Sequence, residues 1–211
     1  MELMENSAMP SSMTTQSTLL STLWPEAPNS VVKASLLVLL GTGLLTLSAK
    51  LSVPFYPYIV PMTMQTFAVL VIGMALGWKL GAATVMLYLI EGALGLPVFA
   101  YTPAKGIGIS YMVGPTGGYL IGFLLSAALL GYLGEKGFDR NFGTTLAAML
   151  MGTVVIFVFG YSWLAYLIGA EKAFLFGVYP FLWAEAFKIA LAALVLPTCW
   201  KLLGRRSRNK I

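Results

Sequence analysis

The sequence predicts an all-α integral membrane protein with six transmembrane helices. Of the 211 residues, 58% are hydrophobic and only 10% are charged, whereas a soluble globular domain carries about 25% charged residues. The mean hydropathy is +0.84. A water-soluble domain of this length exposes too much surface to enclose so many apolar side chains. We therefore expect lipid to surround most of the chain.

Six apolar segments account for the six predicted helices, because a helix needs roughly 20 residues to cross the hydrocarbon core. In order they are Val31–Ala49, Met62–Trp78, Leu80–Leu96, Pro115–Leu133, Thr144–Ile168 and Gly177–Leu203. The second and third segments are short and nearly continuous. Neighbouring protein can cover the ends of helices this short.

The flanking residues predict two tails around a membrane domain that covers residues 31–203. Residues 1–30 are rich in Ser, Thr, Met and Pro and predict a flexible cytoplasmic tail, and residues 204–211 predict a basic cytoplasmic tail. Two connections rich in proline, glycine and aromatic residues, Leu51–Pro61 and Pro97–Gly114, are expected to form structured loops on the outer face.

The distribution of basic residues predicts the orientation, because lysine and arginine favour the cytoplasmic side. With both termini inside, the external basic residues are Lys50, Lys105 and Lys172. The cytoplasmic ones are Lys33, Lys79, Lys136, Arg140, Lys201, Arg205, Arg206, Arg208 and Lys210. This bias also explains the net charge of +5 without nucleic-acid binding.

The strongest candidate for a functional site is Glu185 with Lys188 in the last apolar segment. Ionisable groups at that depth cost several kcal/mol unless they are paired or hydrated. A spacing of three residues places both side chains on one helical face. The pair either lowers the cost of membrane insertion or forms the polar point of a binding pocket. Glu91, three residues after Tyr88, either lines the same cavity or lies at a helix end near water.

Several site classes are excluded by composition. The chain has no histidine and a single cysteine, Cys199, so histidine zinc sites, Ser-His-Asp triads and internal disulfides are excluded. We expect no catalytic residue, no metal and no cofactor. The glycine-rich stretch Gly114–Tyr119 lacks the lysine and the preceding strand of a phosphate-binding loop. It predicts a turn with close backbone approach, and the spacing of Gly73, Gly77 and Gly81 predicts close helix packing.

Four stretches of this sequence resemble the BioY family, the substrate-binding S components of energy-coupling factor (ECF) biotin transporters. They are Val60–Thr66, Gly92–Phe99, Gly114–Leu120 and the run from Pro180 through Glu185 to Lys188. Their order and intervals agree with the family from about Lys33 to Leu203. The resemblance implies an S-component-like fold of six helices in a bacterial plasma membrane, with biotin held near the outer face.

The resemblance also implies roles for particular residues. Glu185 stands where the family usually has aspartate and would accept hydrogen bonds from the ureido N–H groups, while Lys188 would donate to a ligand oxygen. Gln65, Tyr88 and Tyr119 are weaker candidates for polar or stacking contacts. ATP would be used by partners, a transmembrane coupling subunit of the EcfT or BioN type and ATPases of the EcfA or BioM type.

Three alternatives remain at this point. The chain could be an S component for another vitamin such as thiamine or riboflavin. It could be a structural membrane subunit whose charges pair with a partner. It could also be an intramembrane enzyme that uses Glu91, Glu185 and Lys188 as acid and base, although no nucleophile or metal cluster accompanies them.

Overall fold

The computed structural model describes residues 18–19, 22, 31–53 and 60–208, of which 204–208 are described for their backbone alone. In chain order the elements are helix α1 (Val31–Lys50), strands β1 (Ser52–Val53) and β2 (Met62–Thr63), helices α2 (Gln65–Leu76), α3 (Trp78–Ala93), α4 (Gly108–Met112), α5 (Gly117–Glu135), α6 (Phe142–Ile168) and α7 (Ala170–Gly177), a 3-10 turn (Tyr179–Phe181) and helix α8 (Leu182–Arg208).

Within this part of the chain, four helical stretches are long and apolar enough to cross a membrane. They are α1, α5, α6 and the stretch Ala170–Leu203 that joins α7 to α8. Helix α2 has 12 residues and α3 has 16, fewer than the roughly 20 of a full span. The predicted count of six spans is therefore not confirmed, whereas the mostly helical membrane fold is.

The second predicted segment is shortened at both ends for physical reasons. Its first residues, Met62 and Thr63, pair as strand β2 with Val53 and Ser52. Its end is set by Gly77, whose φ of 82° ends α2 and begins α3. This left-handed conformation is open to glycine at little cost. The Glu135 carboxylate then accepts a hydrogen bond from the Trp78 N–H at 3.1 Å, which satisfies one of the first N–H groups of α3.

Helix α5 lies at the centre of the bundle and packs against α2, α3 and α6. Of its most apolar window, 61% is buried, against 22% for α1. Helix α1 packs on α3 and exposes a row of leucines, which are Leu36, Leu39, Leu40, Leu44 and Leu47. Such a face is stable in lipid, where apolar side chains need no protein cover.

The predicted loops and tails are described only in part. Residues 54–59 of the first connection lie outside the described residues, as does most of the predicted tail 1–30. Leu19 is described and is buried in the hydrophobic core. At the other end, α8 continues to Arg208, past the predicted boundary at Leu203.

Candidate binding site

A narrow cavity lies between α2, α5, α6 and the beginning of α8. Its volume is about 40 Å³, room for about three water molecules. The lining is largely apolar and aromatic with a few polar groups, as in small-molecule sites. It consists of Val60, Pro61, Thr63, Gln65, Thr66, Phe99, Ala100, Tyr111, Thr116, Tyr119, Leu120, Phe123, Phe157, Phe181, Glu185 and Lys188.

The Glu185–Lys188 ion pair forms the polar end of this cavity. The 3-10 turn Tyr179–Phe181 precedes α8 and places Glu185 in the first turn of that helix, where the positive end of the helix dipole favours an anion. Lys188 follows one turn later, and its ammonium lies 2.7 Å from Glu185 Oε1. Both side chains are at most 5% exposed. The prediction that Glu185 and Lys188 share one helical face is therefore confirmed.

Lys188 is fully engaged within the protein. Besides Glu185, its Nζ donates to the Thr66 hydroxyl at 2.9 Å and to the Thr63 carbonyl at 2.6 Å. An ammonium has three protons, so each is directed at an oxygen of this chain. The Thr63 hydroxyl in turn accepts the Gln65 N–H at the start of α2, at 3.2 Å. Lys188 thus ties α8 to β2 and α2.

The two oxygens of Glu185 differ in their surroundings. Oε1 accepts from Lys188 and from the Thr66 hydroxyl, the latter at 2.8 Å. Oε2 is buried and has no hydrogen-bond partner among the described residues. A buried carboxylate oxygen without a donor is costly. This oxygen is an unused acceptor on a residue that lines the cavity, and it suits a ligand that brings an N–H group.

A chain of hydrogen bonds fixes the orientation of the Gln65 amide. The buried Tyr88 hydroxyl donates to the Val98 carbonyl at 3.0 Å, so its oxygen is the acceptor for Gln65 Nε2 at 2.8 Å. The amide nitrogen of Gln65 is therefore directed at Tyr88. The opposite end of the amide is its carbonyl oxygen Oε1, and Gln65 lines the cavity. The Gln65 carbonyl oxygen is therefore a candidate for a second acceptor in the lining.

Aromatic rings form the apolar walls. Phe99 stacks on Tyr111 with ring centroids 5.0 Å apart and packs edge-on against Tyr88 at 5.3 Å. Burial raises the pKa of the Tyr111 phenol, so it stays neutral at ordinary pH. Tyr119 packs edge-on against Phe157 at 6.1 Å and donates its hydroxyl proton to the Gly177 carbonyl at 2.7 Å. The Tyr119 ring, rather than a free O–H donor, is what faces a ligand.

The structure therefore brings four of the six predicted site residues to one cavity, namely Gln65, Tyr119, Glu185 and Lys188. Tyr88 lies behind Gln65 and does not line the cavity. Glu91 lies outside the lining too, half-buried, where it accepts a hydrogen bond from the Thr42 hydroxyl of α1 at 3.2 Å.

Sequence reasoning missed several lining residues. Thr63 and Thr66 belong to the motif Val60–Thr66, and hydroxyl groups beside a glutamine in an apolar segment are a signal that could have found them. Phe99 and Tyr111 lie in a connection already noted for its aromatic residues. The two residues are 12 positions apart in sequence, and no local sequence pattern predicts that their rings stack.

Comparisons with known proteins identify the family of this chain. A model of the BioY family matches residues 13–205. A probable biotin transporter BioY of Pyrococcus horikoshii is 41% identical over 75% of this chain and 91% of its own length. The biotin transporter BioY of Thermotoga maritima is 40% identical over 73% of this chain and 88% of its own length.

A solved structure shares the fold. The crystal structure of the S-component for biotin from an ECF-type ABC transporter superposes with a TM-score of 0.68 at 23% identity, covering 83% of this chain and 94% of that chain. The family match covers far more than half of the sequence, and the resemblance drawn from the four motifs is confirmed. The chain belongs to the BioY family of membrane transport proteins.

Proposed function

We propose that this protein captures biotin from outside a bacterial cell as the S component of an ECF-type transporter. The names of its relatives, which are biotin transporters, support biotin as the ligand. The observation that carries the proposal is the buried, unpartnered Oε2 of Glu185 beside an apolar, aromatic cavity. Biotin combines a ureido group, which has two N–H donors, with an apolar ring system, and both parts match this lining.

In this arrangement Glu185 Oε2 accepts one ureido N–H and Gln65 Oε1 accepts the other. The apolar rings of biotin pack against Phe99, Tyr119 and Phe157. Because the three protons of Lys188 are already engaged, its first role is to hold the Glu185 carboxylate in place. A direct bond from Lys188 to a ligand oxygen requires that it exchange one of these partners.

We expect binding to enlarge the cavity, because its volume of about 40 Å³ is below the roughly 300–1,000 Å³ of ligand pockets. The substitution of glutamate for the family's aspartate bears on the same point. The extra methylene extends the carboxylate by ~1.5 Å, which brings Oε2 further into the cavity. Gln65 and Glu185 then approach the ligand from opposite helices, α2 and α8.

The same proposal covers topology and partners. Helices α2 and α3 complete a bundle of six spans with α1, α5, α6 and α8, both termini are cytoplasmic, and the connections around 51–61 and 97–114 cover the ligand from outside. The chain has no cofactor of its own and catalyses no reaction. A membrane-embedded coupling subunit and cytosolic ATPases supply the energy. This part of the proposal is supported by the structural neighbour, which is the S-component for biotin from an ECF-type ABC transporter.

The test is a calorimetric titration of the purified protein in detergent with biotin, and with thiamine and riboflavin in parallel. We expect saturable binding of one biotin per chain and none of the other two vitamins. Binding of thiamine or riboflavin instead would make the chain an S component for that vitamin. A folded protein that binds none of them would contradict the proposal and favour a structural membrane subunit.

Replacing Tyr88 by phenylalanine is expected to weaken biotin binding about fivefold. The variant keeps the ring against Phe99 but removes the acceptor for Gln65 Nε2 and the donor to the Val98 carbonyl, a loss typical of a neutral buried hydrogen bond at about 1 kcal/mol. Calorimetry on Tyr88→Phe measures this, with Tyr166→Phe as the control because Tyr166 is 82% exposed. Equal affinity in both variants would show that Tyr88 does not orient Gln65.

A further inference from the structure

Lys50, the last residue of α1, makes three hydrogen bonds to one short turn in the connection between α3 and α4. Its Nζ donates to the Phe99 carbonyl at 2.8 Å, to the Thr102 carbonyl at 3.1 Å and to the Thr102 hydroxyl at 3.0 Å. The Thr102 hydroxyl donates in turn to the Phe99 carbonyl at 2.7 Å. All three ammonium protons are thus used to close the turn 99–102.

This turn supplies one wall of the cavity. Phe99 and Ala100 both line the cavity and are at most 2% exposed. The residue before them, Val98, is held through its carbonyl by Tyr88 of α3. The wall is therefore attached to two helices, to α3 by Tyr88 and to α1 by Lys50.

The backbone of the turn needs such support. Tyr101 adopts a φ of 56°, a left-handed conformation that is unfavourable for a residue other than glycine. Hydrogen bonds from a charged donor are stronger than those between neutral groups. The Lys50 ammonium is the charged group that brackets Tyr101, since it binds the turn both before it, at Phe99, and after it, at Thr102.

We infer that Lys50 is a positioning residue for the ligand: its ammonium holds the turn 99–102 so that Phe99 and Ala100 form a fixed cavity wall, and it thereby prolongs the time for which the ligand stays bound. The second part rests on the proposed function. In the sequence Lys50 reads only as one of the basic residues that set the orientation in the membrane. A lysine that only sets the membrane orientation does not need three hydrogen bonds to one turn, as Lys50 has.

The experiment compares Lys50→Met with Lys50→Arg and Lys105→Met. Lys105 lies in the same connection, but its side chain is exposed and its ammonium lies 5.1 Å from the centroid of the Tyr101 ring. Two quantities are measured: the dissociation rate of labelled biotin after a chase with unlabelled biotin, and hydrogen exchange of the backbone amides of residues 98–106.

We expect Lys50→Met to release biotin about fivefold to tenfold faster with little change in the association rate, and to exchange the amides of Thr102, Lys105 and Gly106 faster. Arginine at position 50 keeps the charge and several donors, so it should restore much of both effects. Lys105→Met should behave as the unmodified protein.

Unchanged dissociation and unchanged exchange in Lys50→Met would overturn the inference. Faster exchange with unchanged dissociation would overturn its second part, the link to ligand residence. If the unmodified protein binds no biotin, the proposed function fails and the exchange measurement alone decides whether Lys50 holds the turn. Should Lys50→Met not fold, Thr102→Val removes the hydroxyl partner of Lys50 from the other side and serves for the same comparison.

Discussion

Replacing Lys188 by methionine is expected to weaken biotin binding strongly and to destabilise the protein. The change removes the donor to three oxygens, on Glu185, Thr66 and Thr63, and leaves the Glu185 carboxylate buried without its cation. Breaking a buried ion pair on one side costs about 3–5 kcal/mol. If about half of that is lost from binding, the dissociation constant rises by roughly tenfold to sixtyfold, because 1.4 kcal/mol corresponds to a factor of ten.

A double variant separates stability from binding. Glu185→Gln together with Lys188→Met removes both charges, and such paired replacement is often neutral for stability. We expect the melting temperature in detergent to return towards that of the unmodified protein. Biotin binding should stay weak, because the carboxylate acceptor Oε2 is gone. Glu185→Gln alone leaves the Lys188 ammonium buried without its anion, so it should lower the melting temperature as Lys188→Met does. It should weaken binding by about tenfold to a hundredfold, the range for a hydrogen bond to a charged group.

The measurements are calorimetric affinity and thermal unfolding for the two single variants and the double variant. Full biotin affinity in Lys188→Met, or in the double variant, would remove the ion pair from the binding site. The ion pair would then serve only to lower the free-energy cost of burying the two charges in α8. The geometry predicts weaker biotin binding in all three variants. It predicts a lower melting temperature in the two single variants and a recovered one in the double variant.

The Glu185–Lys188 pair shows what the sequence could predict about the site. Two ionisable residues in an apolar segment are conspicuous, and the helical repeat alone places them on one face. The distance of 2.7 Å between them confirms that local rule. The partners of Lys188 at Thr63 and Thr66 are 125 and 122 residues away in sequence, and helical spacing says nothing about such contacts.

The fold shows the same division. Long apolar segments identify α1, α5 and α6 with small errors at their ends, because lipid exposure demands continuous hydrophobicity over a full span. The shortened α2 depends instead on the pairing of Met62–Thr63 with Ser52–Val53, which is a tertiary contact. Glu91 is equally instructive, since its partner Thr42 lies on α1. The position of Glu91 within an apolar segment indicates that its carboxylate needs a polar partner. It does not indicate which neighbouring helix provides that partner.

Replacing Gly92 by alanine is expected to weaken biotin binding by about tenfold to a hundredfold. A Cβ at this position of α3 would lie 2.0 Å from Cζ and 2.2 Å from Cε2 of Phe99, far inside van der Waals contact. The ring cannot move towards Tyr111, which stacks on it, or towards Tyr88, which packs against it. Overfilling of this kind costs about 1–3 kcal/mol, which corresponds to the expected range.

Phe99 is one of the lining residues, so the displaced ring moves into the cavity. The added methyl group therefore acts on ligand binding through Phe99. Calorimetry on Gly92→Ala measures the loss, with Gly43→Ala as the matched control because no atom lies within 4 Å of a Cβ at Gly43. A second change, Phe99→Leu, shortens the ring side chain and should restore part of the affinity to Gly92→Ala. Affinity equal to that of the control would mean that Phe99 can move without entering the space that the ligand occupies, and the assignment of this wall to the binding site would be wrong.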